Sequence, residues 1–271
     1  MSKFDIYEAV TDRIISELEK GKIPWERPWT GVQDGAISHV TLKPYSFLNQ
    51  MLLGKPGEWL TFNQCKAEGG NVRKGAKARM VVFWKPNFRE EQDAKTGEKV
   101  VKNFPILRYF SVFHIDDCEG IKPRLKAEEL PRTAEPIEAA EEVTADYLSR
   151  TGVKLIHEEG NRAFYRPASD SITLPTMEQF KEAAEYYSTA FHEMIHSTGH
   201  PSRLNRITSP AAFGSEEYSK EELVAEIGAA SLLNYVGIET DSSFRNSAAY
   251  IQSWLRALKN DKKMIVTAAG A

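Results

Sequence analysis

Residues 191–200 read FHEMIHSTGH, and this stretch decides the second half of the chain. His192 and His196 stand four apart around Glu193, the H-E-x-x-H pattern of a helical metal site. Four residues on a helix is a little over one turn, so both imidazoles lie on one face and can converge on a single cation. Phe180, Ala184, Tyr187, Phe191, Met194 and Ile195 give the same helix an apolar side that can anchor it in a core, as a rigid ligand platform needs. Thr176 with Gln179 has capping-box spacing, which predicts a long helix from there to about 198, closed by Gly199 and Pro201.

A hydrolytic zinc site takes three protein ligands and keeps a fourth position open. The third donor has three candidates: Glu222, Glu226 and His200. His200 follows Gly199 directly, so the helix does not set its direction. Glu222 and Glu226 lie four apart on a further helix, expected from a second capping box (Ser219 with Glu222) to about 236. That spacing lets one acid ligate while the other hydrogen-bonds a ligand histidine from behind. Glu222 could instead serve only the cap. The segment EELVAE at 221–226 is similar to the E-x-x-A-D segment of glutamate-type zincins, which favours Glu222 as ligand and leaves Glu226 as its support or alternative. Zn2+, or another divalent ion such as Mn2+, would activate a water there, with Glu193 as general base for amide hydrolysis. DSITLP at 170–175 is expected as an edge strand that could hold an extended peptide.

Outward from this motif, helical spacing predicts a helix near 136–150, and KLIHEE, RAFYRP and DSITLP read as three strands. A last helix is expected near 243–259. The stretch KPRLKAEELPRTAEPIE at 122–138 has three prolines and alternating charges, so the chain divides into a domain over 1–125, a linker over 126–138 and a domain over 139–271. In the first part, residues 4–20 and 45–53 read as helices, and 59–70 as a third that ends in paired glycines. Met80–Trp84 and 108–116 read as strands, with an exposed hairpin tip or loop between them. The fold class is α+β, a small N-terminal domain followed by a gluzincin-like one.

The overall charge of −3 hides an asymmetry, +4 over residues 1–125 against −7 over 126–271. Opposite charges suggest an interdomain contact that salt would weaken. Four of the five tryptophans also lie in the first part. There Lys22, Trp25, Arg27 and Trp29 alternate around two prolines, and Arg73, Lys74, Lys77 and Arg79 precede the strand carrying Trp84 and Lys85. Cations interleaved with flat rings are the ingredients of single-stranded DNA binding. No apolar run is long enough for a membrane span, and the start lacks signal-peptide shape, so the expectation is a cytoplasmic protein with no membrane partner. Cys65 and Cys118 are expected to be reduced and structural.

GKIPWERPW (21–29), WLTFNQCKAEGGNVRKG (59–75), VVFWK (81–85) and YFSVFHIDDCEG (109–120) together resemble the N-terminal domain of the ArdC-like antirestriction proteins. FHEMIHSTGHPSRLNR (191–206) and EELVAEIGAA (221–230) look like that family's metallopeptidase-like domain. One departure is LKPYSFLN at 42–49, where the family commonly has a glycine-arginine-tyrosine-arginine-glycine-like turn. The resemblance implies a protein of a plasmid or conjugative element that binds single-stranded DNA, protects incoming DNA from restriction and carries a zincin-like domain. The alternative is a metallopeptidase that cleaves a regulatory protein, with the first domain as its protein-recognition module. A third reading makes the metal scaffold catalytically idle.

Overall fold

The computed structural model describes residues 4–25, 35–92, 99–124, 136–207, 215–238 and 248–268. Helix α1 (Ile6–Leu18) begins where the Asp5 side chain accepts from the Tyr7 and Glu8 amides, and it buries Val10, Ile14 and Leu18 as the spacing predicts. Strand β1 (Ala36–Ser38), helix α2 (Phe47–Leu53) and strand β2 (Gly57–Thr61) follow. The expected helix over 59–70 is therefore corrected. Trp59 and Leu60 are buried in β2, and only Phe62–Ala67, helix α3, is helical. The physical cause is a capping box at Thr61, whose hydroxyl accepts from the Gln64 amide while the Gln64 side chain accepts from the Thr61 amide.

Next come β3 (Asn71–Val72), β4 (Arg79–Lys85), β5 (Phe88–Gln92), β6 (Lys99–Asn103), β7 (Ile106–His114) and β8 (Cys118–Glu119). The main sheet has the order β1-β2-β7-β4, with β1 parallel to β2 and the other pairs antiparallel. Its two edge strands are both held by neighbouring side chains of α2. Asn49 donates to the Val82 carbonyl (2.8 Å) and accepts from the Val82 amide (2.7 Å) on β4. Gln50 accepts from the Ala36 amide (2.6 Å) and donates to the Ala36 carbonyl (2.8 Å) on β1. Each amide side chain thus replaces a missing strand at one point of an edge. The β5–β6 pair continues the β4–β7 register, and Pro86 falls opposite Pro105 at the break between them. Neither proline can donate to a ladder, so the long hairpin divides there into two sheets.

The second half starts with α4 (Pro136–Thr151), inside the stretch expected as linker; residues 125–135 lie outside the described ones. Strands β9 (Lys154–His157), β10 (Phe164–Arg166) and β11 (Ser171–Leu174) form a sheet in the order β10-β11-β9. This corrects the edge-strand expectation for DSITLP: β11 is central, paired on both sides and buried, so no peptide can add to it. The Thr176–Gln179 box is present but caps a single 3-10 turn, after which Phe180 turns extended and packs edge-on against Tyr186 at 5.6 Å. Helix α5 (Ala183–Thr198) starts beyond it.

Helix α6 (Glu216–Val236) begins a turn earlier than expected, because Ser215 rather than Ser219 is the cap and accepts from the Tyr218 amide. Helix α7 (Ala248–Asn260) and a short α8 (Met264–Ala268), absent from the sequence reading, complete the chain; 243–247 of the expected last helix lie outside the described residues. The two halves do not meet through salt-sensitive charge alone. Val10, Ile14 and Leu18 of α1, Val82 and Leu107 of the sheet, Leu223 and Ile227 of α6, Trp254 and Leu258 of α7 and Ile265 of α8 form one apolar cluster. Ion pairs such as Lys259–Glu19 (2.7 Å) and Lys262–Asp12 are exposed at its rim and add little. A shared core should unfold as a unit. Urea transitions followed by tryptophan fluorescence and by circular dichroism are expected to coincide. Leu258→Ala should lower both midpoints together, at a cost of about 2–5 kcal/mol.

Candidate metal centre

Helices α5 and α6 bring the predicted donors together. The His192 and His196 rings stand one turn apart, nearly perpendicular, with their Nε2 atoms 3.0 Å from one another. Glu222 reaches in from α6, with Oε2 at 3.7 Å from His192 Nε2 and Oε1 at 3.5 Å from His196 Nε2. His192, His196 and Glu222 are the metal-compatible group found among the described residues. A tetrahedral ion with bonds of 2.0–2.1 Å separates its ligands by about 3.3 Å, so this triangle fits a cation of that size with small adjustments. The earlier start of α6 is what frees Glu222, which stands in its second turn and not in the cap.

Each imidazole is backed by a carboxylate on its other nitrogen. Glu226 Oε1 lies 3.6 Å from His192 Nδ1. Glu221 Oε1 lies 3.3 Å from His196 Nδ1. Such partners hold the proton on Nδ1 and aim the Nε2 lone pair at the metal. Glu221 is in turn gripped by Arg206, whose Nε donates to Oε2 (3.1 Å) and Nη2 to Oε1 (3.0 Å). Glu221 and Arg206 escaped the sequence reading. In the doublet Glu221-Glu222 only the second acid has another acid at helical spacing after it, Glu226, and nothing in the spacing ties Arg206 to a helix beginning ten residues later. His200 is turned away, its Nδ1 at 2.7 Å from the Ser202 hydroxyl. Glu193 is 3% exposed and follows His192 directly on α5.

The approach of α5 to α6 depends on Gly228. A Cβ at this position would stand 2.7–2.9 Å from three side-chain carbons of Ile195, the neighbour of His196. The C-terminal end of α5 is tied down by two arginines. Arg203 donates to the Ser197 carbonyl (2.8 Å) and to Asp170 (3.0 Å), and Arg206 donates to the Ile195 carbonyl (3.0 Å).

Burial alone would pull the His196 imidazole down, but hydrogen bonds to Glu221 and Glu222 and the charge of Glu193 push it up to about 9. Burial likewise opposes ionisation of Glu221, and its bonds to His196 and Arg206 outweigh that and hold it below the usual carboxylate range. Without a cation, then, His196 carries a proton at neutral pH. This proton stabilises the fold fully below the unfolded value near 6.5, a contribution lost as pH rises towards 9.

The expected DNA-contacting residues are scattered. Lys22, Lys74, Lys77 and Lys85 are exposed, Arg73 pairs with Glu119 at 3.3 Å, and Arg79 is half-buried. Trp84 is 47% exposed with its ring centroid 6.4 Å from that of Tyr7. Trp25 is corrected: it is 4% exposed, set edge-on to Trp254 at 5.3 Å, and so offers no stacking face. An apolar ring in that place does more for the shared core than it could on the surface. Arg27 and Trp29 lie outside the described residues. Cys65 and Cys118 are free and buried, and burial with the neighbouring Cys65 pushes the Cys118 thiol up to about 12, in keeping with inert structural cysteines. No helix among the described residues is long and apolar enough to cross a membrane.

A helix pair that converges two histidines and a glutamate, following a small α+β domain, defines a protein with a zincin-like metallopeptidase domain. Family models match accordingly: the N-terminal domain of the anti-restriction factor ArdC over residues 4–113, and a zincin-like metallopeptidase over 138–271. The crystal structures of the antirestriction ArdC protein from the R388 plasmid are similar along nearly the whole chain. The metal-free form gives a TM-score of 0.70 at 38% identity, covering 98% of this chain and 93% of that one. The Mn(II)-bound form gives 0.73 at 35%, covering 98% and 94%. The uncharacterized protein y4eC of Sinorhizobium fredii is 33% identical, over 98% of this chain and 88% of its own. Two proteins named DNA primase TraC from Escherichia coli are each 37% identical over 98% of this chain, which spans 26% and 19% of their lengths. The chain belongs to the ArdC family of antirestriction proteins.

Two outcomes are expected of the centre. Gly228→Val should force α5 and α6 apart and weaken metal affinity at least tenfold while both histidines remain, measured by competition with a chromophoric chelator. Because a cation must displace the His196 proton, affinity in the same assay should rise about tenfold per pH unit between about 6.5 and 9. A flat profile would contradict the assigned protonation.

Proposed function

We propose that this protein is an antirestriction factor of a mobile or conjugative element, which binds single-stranded DNA through its N-terminal domain and holds a divalent metal in a peptidase-like centre. The observation that carries the metal part is the triangle of His192, His196 and Glu222, each imidazole backed by its own carboxylate. The two-histidine, one-glutamate donor set suits Zn2+, and the Mn(II)-bound relative makes Mn2+ the alternative. A bound divalent ion supplies a Lewis acid that polarises a carbonyl and eases ionisation of water. The chain's own residues do the rest. Glu226 and Glu221 orient the imidazoles, and the buried Glu193 carboxylate takes a proton from the attacking water and can return it to the leaving amine. The DNA part is supported by family membership and by exposed cations, among them Lys22, Lys74, Lys77 and Lys85.

Fluorescence anisotropy of labelled oligonucleotides with the whole protein tests this reading. Single strands should bind in preference to duplex, and more weakly as salt rises. Glu193→Gln should leave metal content and DNA affinity unchanged and abolish any hydrolysis, whereas His192→Ala should lose the metal, read by elemental analysis. Absence of DNA binding would favour the metallopeptidase that recognises a protein.

A further inference from the structure

The register of β4 and β7 places Phe83 opposite Arg108 and Val81 opposite Phe110, so Phe83, Phe110 and Arg108 share one face of the sheet with Lys85. The opposite face is the one α1 covers, through Val82 and Leu107. Trp84 and Tyr109 stand on that covered side, beside Tyr7 and Phe4. On the open face the rings of Phe83 and Phe110 lie parallel, 8° apart in plane and 4.9 Å between centroids, and are 37% and 54% exposed. Arg108 and Lys85 are exposed and have no acidic partner within ion-pair distance among the described residues. Strand alternation carries the same face past the paired prolines to Phe104, opposite Asn87, and to Arg89, opposite Lys102. No position on this face between Phe110 and Arg89 is acidic. At about 3.3 Å per residue the track is about 26 Å long.

We infer that this face is the track on which the single strand lies, its bases stacking on Phe110, Phe83 and Phe104 and its phosphates meeting Arg108, Lys85 and Arg89. The inference rests on the single-strand reading above and gives it a place on the molecule. Cations spaced between flat rings match a polymer that repeats one charge and one flat base per unit. A duplex hides its base faces and cannot use the rings. A protein partner would favour a continuous apolar patch, whereas on this face the rings and Ile106 are interspersed with Arg108, Lys85 and Arg89.

The test measures anisotropy of a fluorescein-labelled oligothymidylate with the whole, metal-loaded protein and its variants. The double substitution Phe83→Ala with Phe110→Ala should weaken binding by about tenfold or more, since one stacked base is worth about 5- to 150-fold. Phe83→Tyr with Phe110→Tyr should retain it. Arg108→Gln should reduce the slope of log affinity against log salt by about 1. Trp84→Ala, on the covered side, should change affinity less than twofold. Unchanged circular dichroism and metal content show that the alanine variant folds. If the wild type binds and the double alanine variant binds equally well, this track is wrong while single-strand binding stands. If the wild type binds no single strand, both fall.

Discussion

Helix α6 must satisfy two unlike environments at once, and most of the molecule depends on its doing so. Leu223 and Ile227 point into the core shared with α1, α7 and α8. Glu222 and Glu226, one residue earlier in each case, face the histidines of α5. One residue is about 100° around a helix, so a small rotation of α6 would bring an apolar side chain to the centre and strand a carboxylate in the core. Packing against the N-terminal domain therefore fixes the rotation that puts Glu222 between His192 and His196. The metal centre belongs to the second half of the chain by sequence, but its geometry is held in part by the first.

The N-terminal sheet faces a different constraint. A four-stranded sheet has two edges, and an edge left unpaired invites pairing with another chain; the chain at Lys43–Tyr45 already bonds to β1. Asn49 and Gln50, adjacent on α2, satisfy one edge each, so a single short helix draws β1 and β4 towards it. Helix α1 covers one side of β4 and β7, and on the other side Val81 and Val112 are buried with Leu53 of α2, Ala36 and Trp59. The paired prolines then end the main sheet without ending the hairpin. Phe83 and Phe110 lie on that second side next to its buried part, and their rings stay exposed.

The parts of the structure legible in the sequence were those set by local chemistry. The H-E-x-x-H turn, its apolar side, the acid pair at 222 and 226 and the strands from Met80 and to His114 all follow from periodicity and spacing. Three of the misreadings concern where a helix begins. Thr61 starts α3 inside a segment whose first residues are a buried strand, Thr176 caps one turn and not a long helix, and Ser215 pre-empts Ser219. Which hydroxyl wins depends on what the adjoining residues bury, and that is tertiary information. Trp25 shows the same limit. A tryptophan between prolines looks exposed until α7 brings Trp254 against it. Alternation separates Phe83 from Trp84, but the pairing that sets Phe83 beside Arg108 and Phe110 could not be read from either strand by itself.

Charge balance completes the argument for the centre. Glu193, Glu221, Glu222 and Glu226 gather around two imidazoles in a largely buried space. Arg206 offsets Glu221, and a proton on His196 offsets one acid more. Like charges brought together in a low dielectric repel one another strongly. A proton neutralises only one and occupies the lone pair that the geometry aims inward. A divalent ion held by His192, His196 and Glu222 would remove twice the charge and would leave Glu226 and Glu221 to their imidazoles. The arrangement that makes the site costly as a bare cluster of acids is the one that suits it to a divalent cation.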